Sequence, residues 1–448
     1  MIIRFNFIYK DIIRMIIQIY KLTNEEISQF IDKLLPIKRI EKDKYGEVFT
    51  NPKLINKILD LFPTSIFKDP NLKWLDPSVG AGFFMILLYQ RLMNSLKFWE
   101  PNKKKRSDHI IGQMLFMVEI NKTNCNICKQ LFGPNANLYC GDFLSEIKFP
   151  KFLEQISFDC IIGNPPFQDD YGITNKGKRI LGGKNKLYER IFLKAYELLK
   201  NDGYLSFLTP DNLLSGNGSE SYRLLLHTQV QFISFNPSIQ SFFPGIQQSI
   251  CYFILKKKTG KFTKFTIIES NDTNKLKIIL QNRPINPVKN WNLKTEKLVN
   301  NYVSLKRNQA VYNRGKNINL YKGNKYPIIY TPNKNLNSND QELAAGLGKK
   351  KAIIFAISTD HAFKMDFTGK VGSGPNTFYI PFETMNQGKR LESFLKSDDY
   401  KLLVSSTKTN RKYIKIALIE HLKLDKIMNN KTKKMKKSLK NKTRKNFS

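Results

Sequence analysis

The chain has 448 residues, 41% of them hydrophobic, enough for two or three domains with proper cores and too apolar for wholesale disorder. It carries 74 Lys and Arg against 37 Asp and Glu, a formal net charge of +37. A field of that sign attracts polyanions and argues against a small-metabolite enzyme, which makes nucleic acid the leading partner.

The opening stretch, MIIRFNFIYKDIIRMIIQIYKL, is apolar, but Arg4, Lys10, Asp11 and Arg14 interrupt it. It does not reach the roughly 20 apolar residues that span a bilayer, and no small-residue cleavage site follows. Residues 1–40 therefore read as an amphipathic helical segment packing on its own protein, with no membrane partner. From residue 72 the pattern becomes strand, glycine turn, helix. LKWLD leads into PSVGAGF and the apolar helix FFMILLYQRLM. QMLFMVEI is followed by a helix and NLYC, then FDCIIG, a Gly- and Lys-rich loop, the helix LYERIFLKAYELLK and the strand YLSFLTP. Such alternation predicts an α/β fold, a mostly parallel sheet with helices on both faces. VQFISFN, SICYFILKKK and KFTIIES suit an antiparallel edge.

Residues 271–295 shift in composition (SNDTNKLKII, NRPINPVKN) and read as a linker. Residues 296–425 have another texture: short strands YPIIYT, KAIIFAIS, FKMDFTG and TFYIPF, then the helical KRLESFLKS and KIALIEHLKL. Their aromatics interleaved with Lys and Arg suit a nucleic-acid-reading surface, while a structural cap or an oligomerisation domain fits the same pattern. The last 21 residues hold nine Lys or Arg and no acid, and removing them still leaves +28, so the basic character is not confined to the tail. Residues 426–448 read as a disordered Lys-rich arm.

Five cysteines, odd in number and scattered, look like reduced thiols of an intracellular protein, in cytoplasm or nucleus. Cys125 and Cys128 form one CxxC inside a predicted helix, with no second pair at a zinc-binding spacing, and no metal is expected.

Doubly wound sheets bind nucleotide-like ligands at the carboxyl ends of their strands, and four successive strand ends here carry suggestive residues. The first ends at Asp76-Pro77-Ser78-Val79-Gly80-Ala81-Gly82, where glycines allow a ligand to approach the backbone. The second ends at Glu119-Ile120, an acid placed to accept both hydroxyls of a ribose. The third ends at Gly141-Asp142-Phe143, an acceptor and an aromatic face suited to an adenine. The fourth ends at Asn164-Pro165-Pro166-Phe167. Each alone has an ordinary structural explanation, a turn or a surface acid; the four together are hard to attribute to chance.

This constellation resembles the N6-adenine DNA methyltransferases in their gamma-type motif order, with cofactor motifs before NPP(Y/F) and target recognition C-terminal, like the type II restriction-modification methylases. The resemblance covers roughly residues 41–256 motif by motif. GEVFTNPKLINKIL looks like the leading motif, with Asn51 after Thr50 and the proline displaced to Pro52. LTPDNLL and FFPGIQQSICYFIL look like later motifs. The resemblance implies a Rossmann-like S-adenosylmethionine-dependent methyltransferase domain at 41–270 and a mixed α+β target-recognition domain at 296–425. It implies S-adenosyl-L-methionine as cofactor, held by Thr50, Asp76, Pro77, Gly80, Gly82, Glu119, Ile120, Asp142 and Phe143. It further implies catalysis by Asn164, Pro165, Pro166 and Phe167, with Phe167 and Phe243 stacking on the target base.

The implied substrate is an adenine flipped out of double-stranded DNA, and a separate cognate restriction endonuclease fits as a companion. Lys176, Lys178, Arg179, Lys184 and Lys186 in the basic loop would hold the distorted backbone, although a solvated charge run explains them equally. NPPF also occurs in methyltransferases of ribosomal RNA guanine, and NPPY in those of release-factor glutamine. The charge argues against the protein substrate; GEVFT and the long C-terminal region argue against the ribosomal one. An inactive DNA-binding relative is disfavoured by the intact NPPF.

Overall fold

The computed structural model describes residues 50–145, 153, 155–167, 187–215, 220–226, 228–236, 238–243, 249–258, 265–270, 275–280, 283, 285, 291–313, 322–356, 362–407, 414 and 416–429. The N-terminal segment, the first four residues of GEVFT, the basic loop with Lys176, Lys178, Arg179, Lys184 and Lys186, and the tail beyond 429 lie outside the described residues. The chain divides into two compact units, Met1–Gln281 and Asn282–Ser448.

The first unit is built on nine strands: β1 (Trp74–Asp76), β2 (Leu115–Glu119), β3 (Asn137–Cys140), β4 (Phe158–Gly163), β5 (Leu199–Pro210), β6 (Gln229–Ser234), β7 (Ile250–Lys256), β8 (Thr266–Glu269) and β9 (Lys275–Ile278). Their spatial order is β3-β2-β1-β4-β5-β7-β6-β8-β9. The first five run parallel to one another. β7 runs antiparallel to both β5 and β6, as expected for VQFISFN and SICYFILKKK, whereas β8, from KFTIIES, pairs parallel with β6 and departs from that expectation.

Period-two side-chain alternation splits the apolar residues of these strands between two cores. Trp74, Leu115, Met117, Cys160 and Ile162 enter one, with helix Phe83–Ser95. Leu75, Phe116, Val118, Phe158 and Ile161 enter the other, with helix Leu187–Leu198. Each such side chain, nearly or fully buried, contributes roughly 1.5–3 kcal/mol. Because both faces are covered, the central strands read as near-continuous apolar runs. Lys275–Ile278, inside the stretch read as linker, pairs instead with β8 and extends the sheet.

The second unit contains two small sheets. Strands β10 (Val311–Asn313), β13 (Lys351–Phe355), β14 (Phe363–Asp366) and β16 (Thr377–Pro381) form an antiparallel sheet in the order β10-β16-β13-β14. β11 (Tyr326–Thr331), β12 (Lys334–Ser338) and β15 (Gly372–Ser373) form the other. Helix Leu293–Tyr302 precedes them and begins inside the stretch read as linker. Helix Met385–Lys396 starts on a capping box, Thr384 accepting from Gln387 N while the Gln387 side chain accepts from Thr384 N. The stretch expected to open the tail starts instead within helix Leu424–Asn429.

At the center of this unit Lys351, 0% exposed, donates to Asp366 Oδ2 at 2.8 Å. Asp366 also accepts from Thr368 N and Oγ1 and from Gly369 N. Burial alone would push the Asp366 carboxyl up, but Lys351 and Thr368 together hold it below the usual carboxylate range.

Candidate active site

The carboxyl ends of β1, β2, β3 and β4 are neighbours in the sheet, so the four suggestive segments come together as the parallel topology requires. β1 delivers Asp76 and then the glycine turn. Gly82 has φ of +94°, a left-handed conformation, and a Cβ there would lie 3.3 Å from the Phe132 ring. Glycine thus lets the turn close down before helix Phe83–Ser95 begins. The turn is tied across to β2: Val79 N donates to Val118 O at 2.9 Å, and Gly80 N donates to Glu119 Oε2 at 2.7 Å.

Glu119 Oε1 accepts from Asn121 N at 2.7 Å. With a backbone donor on each oxygen the carboxylate is fixed in direction. Beside it Ile120 is 47% exposed, an apolar side chain left at the rim. Asp142 is exposed and closes its own turn by accepting from Leu144 N at 2.8 Å. Phe143, expected to offer a face to an adenine, is instead 4% exposed in the second core, with Lys194 Nζ 5.4 Å from its ring centroid. Pro77 is buried.

Asp76 is 1% exposed and accepts from Ser78 N at 3.0 Å. Burial pushes its carboxyl up to about 8; the Ser78 N–H opposes the shift and the charge of Glu119 reinforces it. The same acid stands against the end of β4: a Cβ on Gly163 would lie 2.7 Å from Asp76 Oδ1. The glycine before Asn164 is therefore imposed by close approach. Ser78 Oγ is buried with no hydrogen-bond partner among the described residues.

Asn164 follows, partly buried, with Pro165 buried and Pro166 and Phe167 half-buried. The two prolines fix φ on the turn and remove its backbone donors, so the segment presents acceptors. Asn164 Nδ2 donates to Thr50 Oγ1 at 3.1 Å. Thr50 was expected at the cofactor; its contact with the candidate catalytic amide has no sequence signal, since 114 residues separate the two. Phe243, expected to stack on a target base, is 2% exposed within the first core beside Ile239 and Ile250. Its apolar neighbours claim the ring, so in this conformation it is core and not a base platform; Pro244 lies outside the described residues.

Cysteine pairing departs from expectation. Helix Lys122–Phe132 begins where Asn121 caps it, which brings Cys125 beside Cys140 at the end of β3, and the two form a disulfide with Cα atoms 5.9 Å apart. Cys128, Cys160 and Cys251 are buried thiols, as expected for all five. Among the described residues no helix is long and apolar enough to cross a membrane.

Comparison with known proteins supports the motif reading. The "Modification methylase CviBIII" of Paramecium bursaria Chlorella virus NC1A is 26% identical over 228 residues, covering 50% of this chain and 53% of that protein. The chain thus spans about half the length of that relative. An "Uncharacterized adenine-specific methylase" of Mycoplasma pneumoniae is 24% identical over 55% of this chain and 78% of its own length. Among solved structures, a nuclease-deletion mutant of the Type ISP restriction-modification enzyme LlaGI in complex with a DNA substrate mimic has a TM-score of 0.55. It covers 90% of this chain and 56% of that one at 11% identity, a likeness of fold alone. Residues 92–242, which include VEIN, GDFL and NPPF, match the Eco57I restriction-modification methylase family, and that match together with the adenine-specific relative supports the resemblance to the N6-adenine methylases of restriction-modification systems.

Proposed function

We propose that this chain is a site-specific DNA methyltransferase that uses S-adenosyl-L-methionine to methylate the exocyclic N6 of an adenine flipped out of double-stranded DNA. The observation that carries the reading is the close approach of Gly163, the residue before Asn164, to Asp76 at the end of β1, where a Cβ on the glycine would lie 2.7 Å from Asp76 Oδ1. The residues present fit the cofactor: a turn closed by glycine, an unpartnered buried Ser78 Oγ, a fixed acid in Glu119 and an exposed apolar Ile120 at its side. When bound, that cofactor supplies an already activated methyl group.

The chain's own work is then alignment. The lone pair of an adenine amino group is delocalised into its ring, so the nitrogen is a poor nucleophile. Asn164 Oδ1 and the Pro165 carbonyl accept its two N–H bonds, which favours a pyramidal nitrogen with a directed lone pair. A neutral amide does this without placing a second full negative charge near Asp76 and Glu119. Phe167, half-buried at the end of the turn, offers a ring for the base to stack on. Holding nucleophile and methyl group in line supplies much of the rate.

For the second unit we propose target recognition. Its hairpin β11–β12 carries Lys325 over Tyr326 and Lys334 over Tyr330, 5.1 and 6.0 Å to the ring centroids, an arrangement suited to phosphate and base contacts. A separate restriction endonuclease is the companion this reading implies. Expression in cells lacking adenine methylation, followed by modification-sensitive sequencing, tests the proposal. One sequence motif methylated at adenine is the expected result; unmodified DNA from a folded, expressed protein rejects it in favour of an RNA substrate.

A further inference from the structure

We infer that Thr50 is a positioning residue whose hydroxyl holds the Asn164 amide in its place at the turn. The inference rests on the methyltransferase reading and goes beyond it. The two ends of an asparagine amide are nearly equal in size, so packing alone hardly distinguishes the productive orientation from its 180° flip. Chemistry distinguishes them completely: Oδ1 accepts from the target amino group, whereas Nδ2 would set donor against donor. Thr50 Oγ1, 3.1 Å from Nδ2, ties down that end of the amide; because a hydroxyl donates as well as accepts, what it holds is the place of the amide on the turn, and the target amino group itself sets which end faces it.

Both partners are held by rigid elements. Thr50 is 5% exposed and immediately precedes helix Pro52–Leu59. That helix is capped by Asn51, whose side chain accepts from Lys53 N at 2.9 Å, and is anchored by Leu54, Ile55, Ile58 and Leu59, each at most 1% exposed. Asn164 is fixed on its other side by β4 and by Pro165. A short hydrogen-bonded bridge between a capped helix start and a proline-stiffened turn is the support a catalytic group needs to stay oriented. At Thr50 the leading motif thereby serves the catalytic amide in place of the cofactor.

Thr50→Val keeps the shape and removes the hydroxyl, while Thr50→Ser restores it. At saturating S-adenosylmethionine, Thr50→Val is expected to slow single-turnover methyl transfer about tenfold, the loss of one oriented hydrogen bond. Cofactor affinity measured by calorimetry stays unchanged, and Thr50→Ser recovers the rate. In an Asn164→Ala background Thr50→Val adds nothing, because Thr50 acts through that amide. Weakened cofactor affinity with a normal saturated rate overturns the inference, as does an additive effect in the double variant.

A readout independent of activity separates this inference from the function on which it rests. With selective 15N-asparagine labelling, the side-chain amide signal absent from Asn164→Ala is expected to move in Thr50→Val and to stay near its wild-type position in Thr50→Ser. An unmoved signal overturns the contact. A moved signal in a protein that methylates no DNA leaves the contact standing and rejects the proposed function.

Discussion

Two buried aspartates, one in each unit, show opposite electrostatics. Asp76 and Asp366 are 1% and 5% exposed. Asp366 has a lysine at 2.8 Å and a shell of hydroxyl and backbone donors, and its carboxyl is held low. Asp76 has the Ser78 N–H, the repulsive charge of Glu119 and no salt bridge among the described residues, and its carboxyl is pushed up. Burial is shared; completion by the protein is not. A buried acid that its own fold completes is architecture, whereas one left for something outside the fold to complete belongs to a site.

The strongest test of that contrast removes the completed acid. Asp366→Ala leaves Lys351 buried and uncompensated, and a loss of about 3–5 kcal/mol in the stability of the C-terminal unit is expected. Denaturant unfolding followed by fluorescence measures it; a change below 1 kcal/mol would erase the distinction between the two acids. Next in size, Asn164→Ala is expected to lower methyl transfer by on the order of 10²–10³, as when a positioned electrostatic group is removed from an active site. Cofactor affinity and melting temperature are expected to hold, since Asn164 is only partly buried. Wild-type turnover in this variant would remove Asn164 from the chemistry.

Asp76→Asn is the test with the sharpest sign. With a folded value of about 8 against an ordinary 3.8, the native protein keeps a proton that the unfolded chain releases. The stability this confers is complete below pH 3.8 and declines as pH rises toward 8. Asparagine has no such slope, so the ligand-free variant is expected to gain on the wild type progressively as pH rises from 3.8 toward 8. The same change is expected to weaken binding of the positively charged cofactor. Parallel melting curves of variant and wild type across this range would refute the assignment.

Much of this architecture was legible because its signals are local. DPSVGAGFF, VEIN, GDFL and NPPF each follow an apolar run, and once the strands are parallel their ends must be neighbours. What escaped depends on distant partners. Thr50 meets Asn164 across 114 residues, and nothing in GEVFTNPK announces that. Cys125 and Cys140 pair because β2 and β3 run in register, Glu119 opposite Cys140, which scattered spacing conceals. Phe243 and Phe143 looked like open aromatic faces because an isolated aromatic reads alike whether it stacks on a ligand or fills a core. Lys351 opens the expected strand KAIIFAIS, and nothing in that run marks it for burial against Asp366.

Gly163 carries one more consequence, for how the protein can vary. Along β4, Phe158, Ile161 and Ile162 sit among apolar neighbours that accommodate conservative exchange, but position 163 is closed even to a methyl by an oxygen of Asp76 on the adjacent strand. Two segments far apart in the gene are thereby coupled as one heritable unit, in which a larger residue at 163 is tolerated only if the acid at 76 retreats.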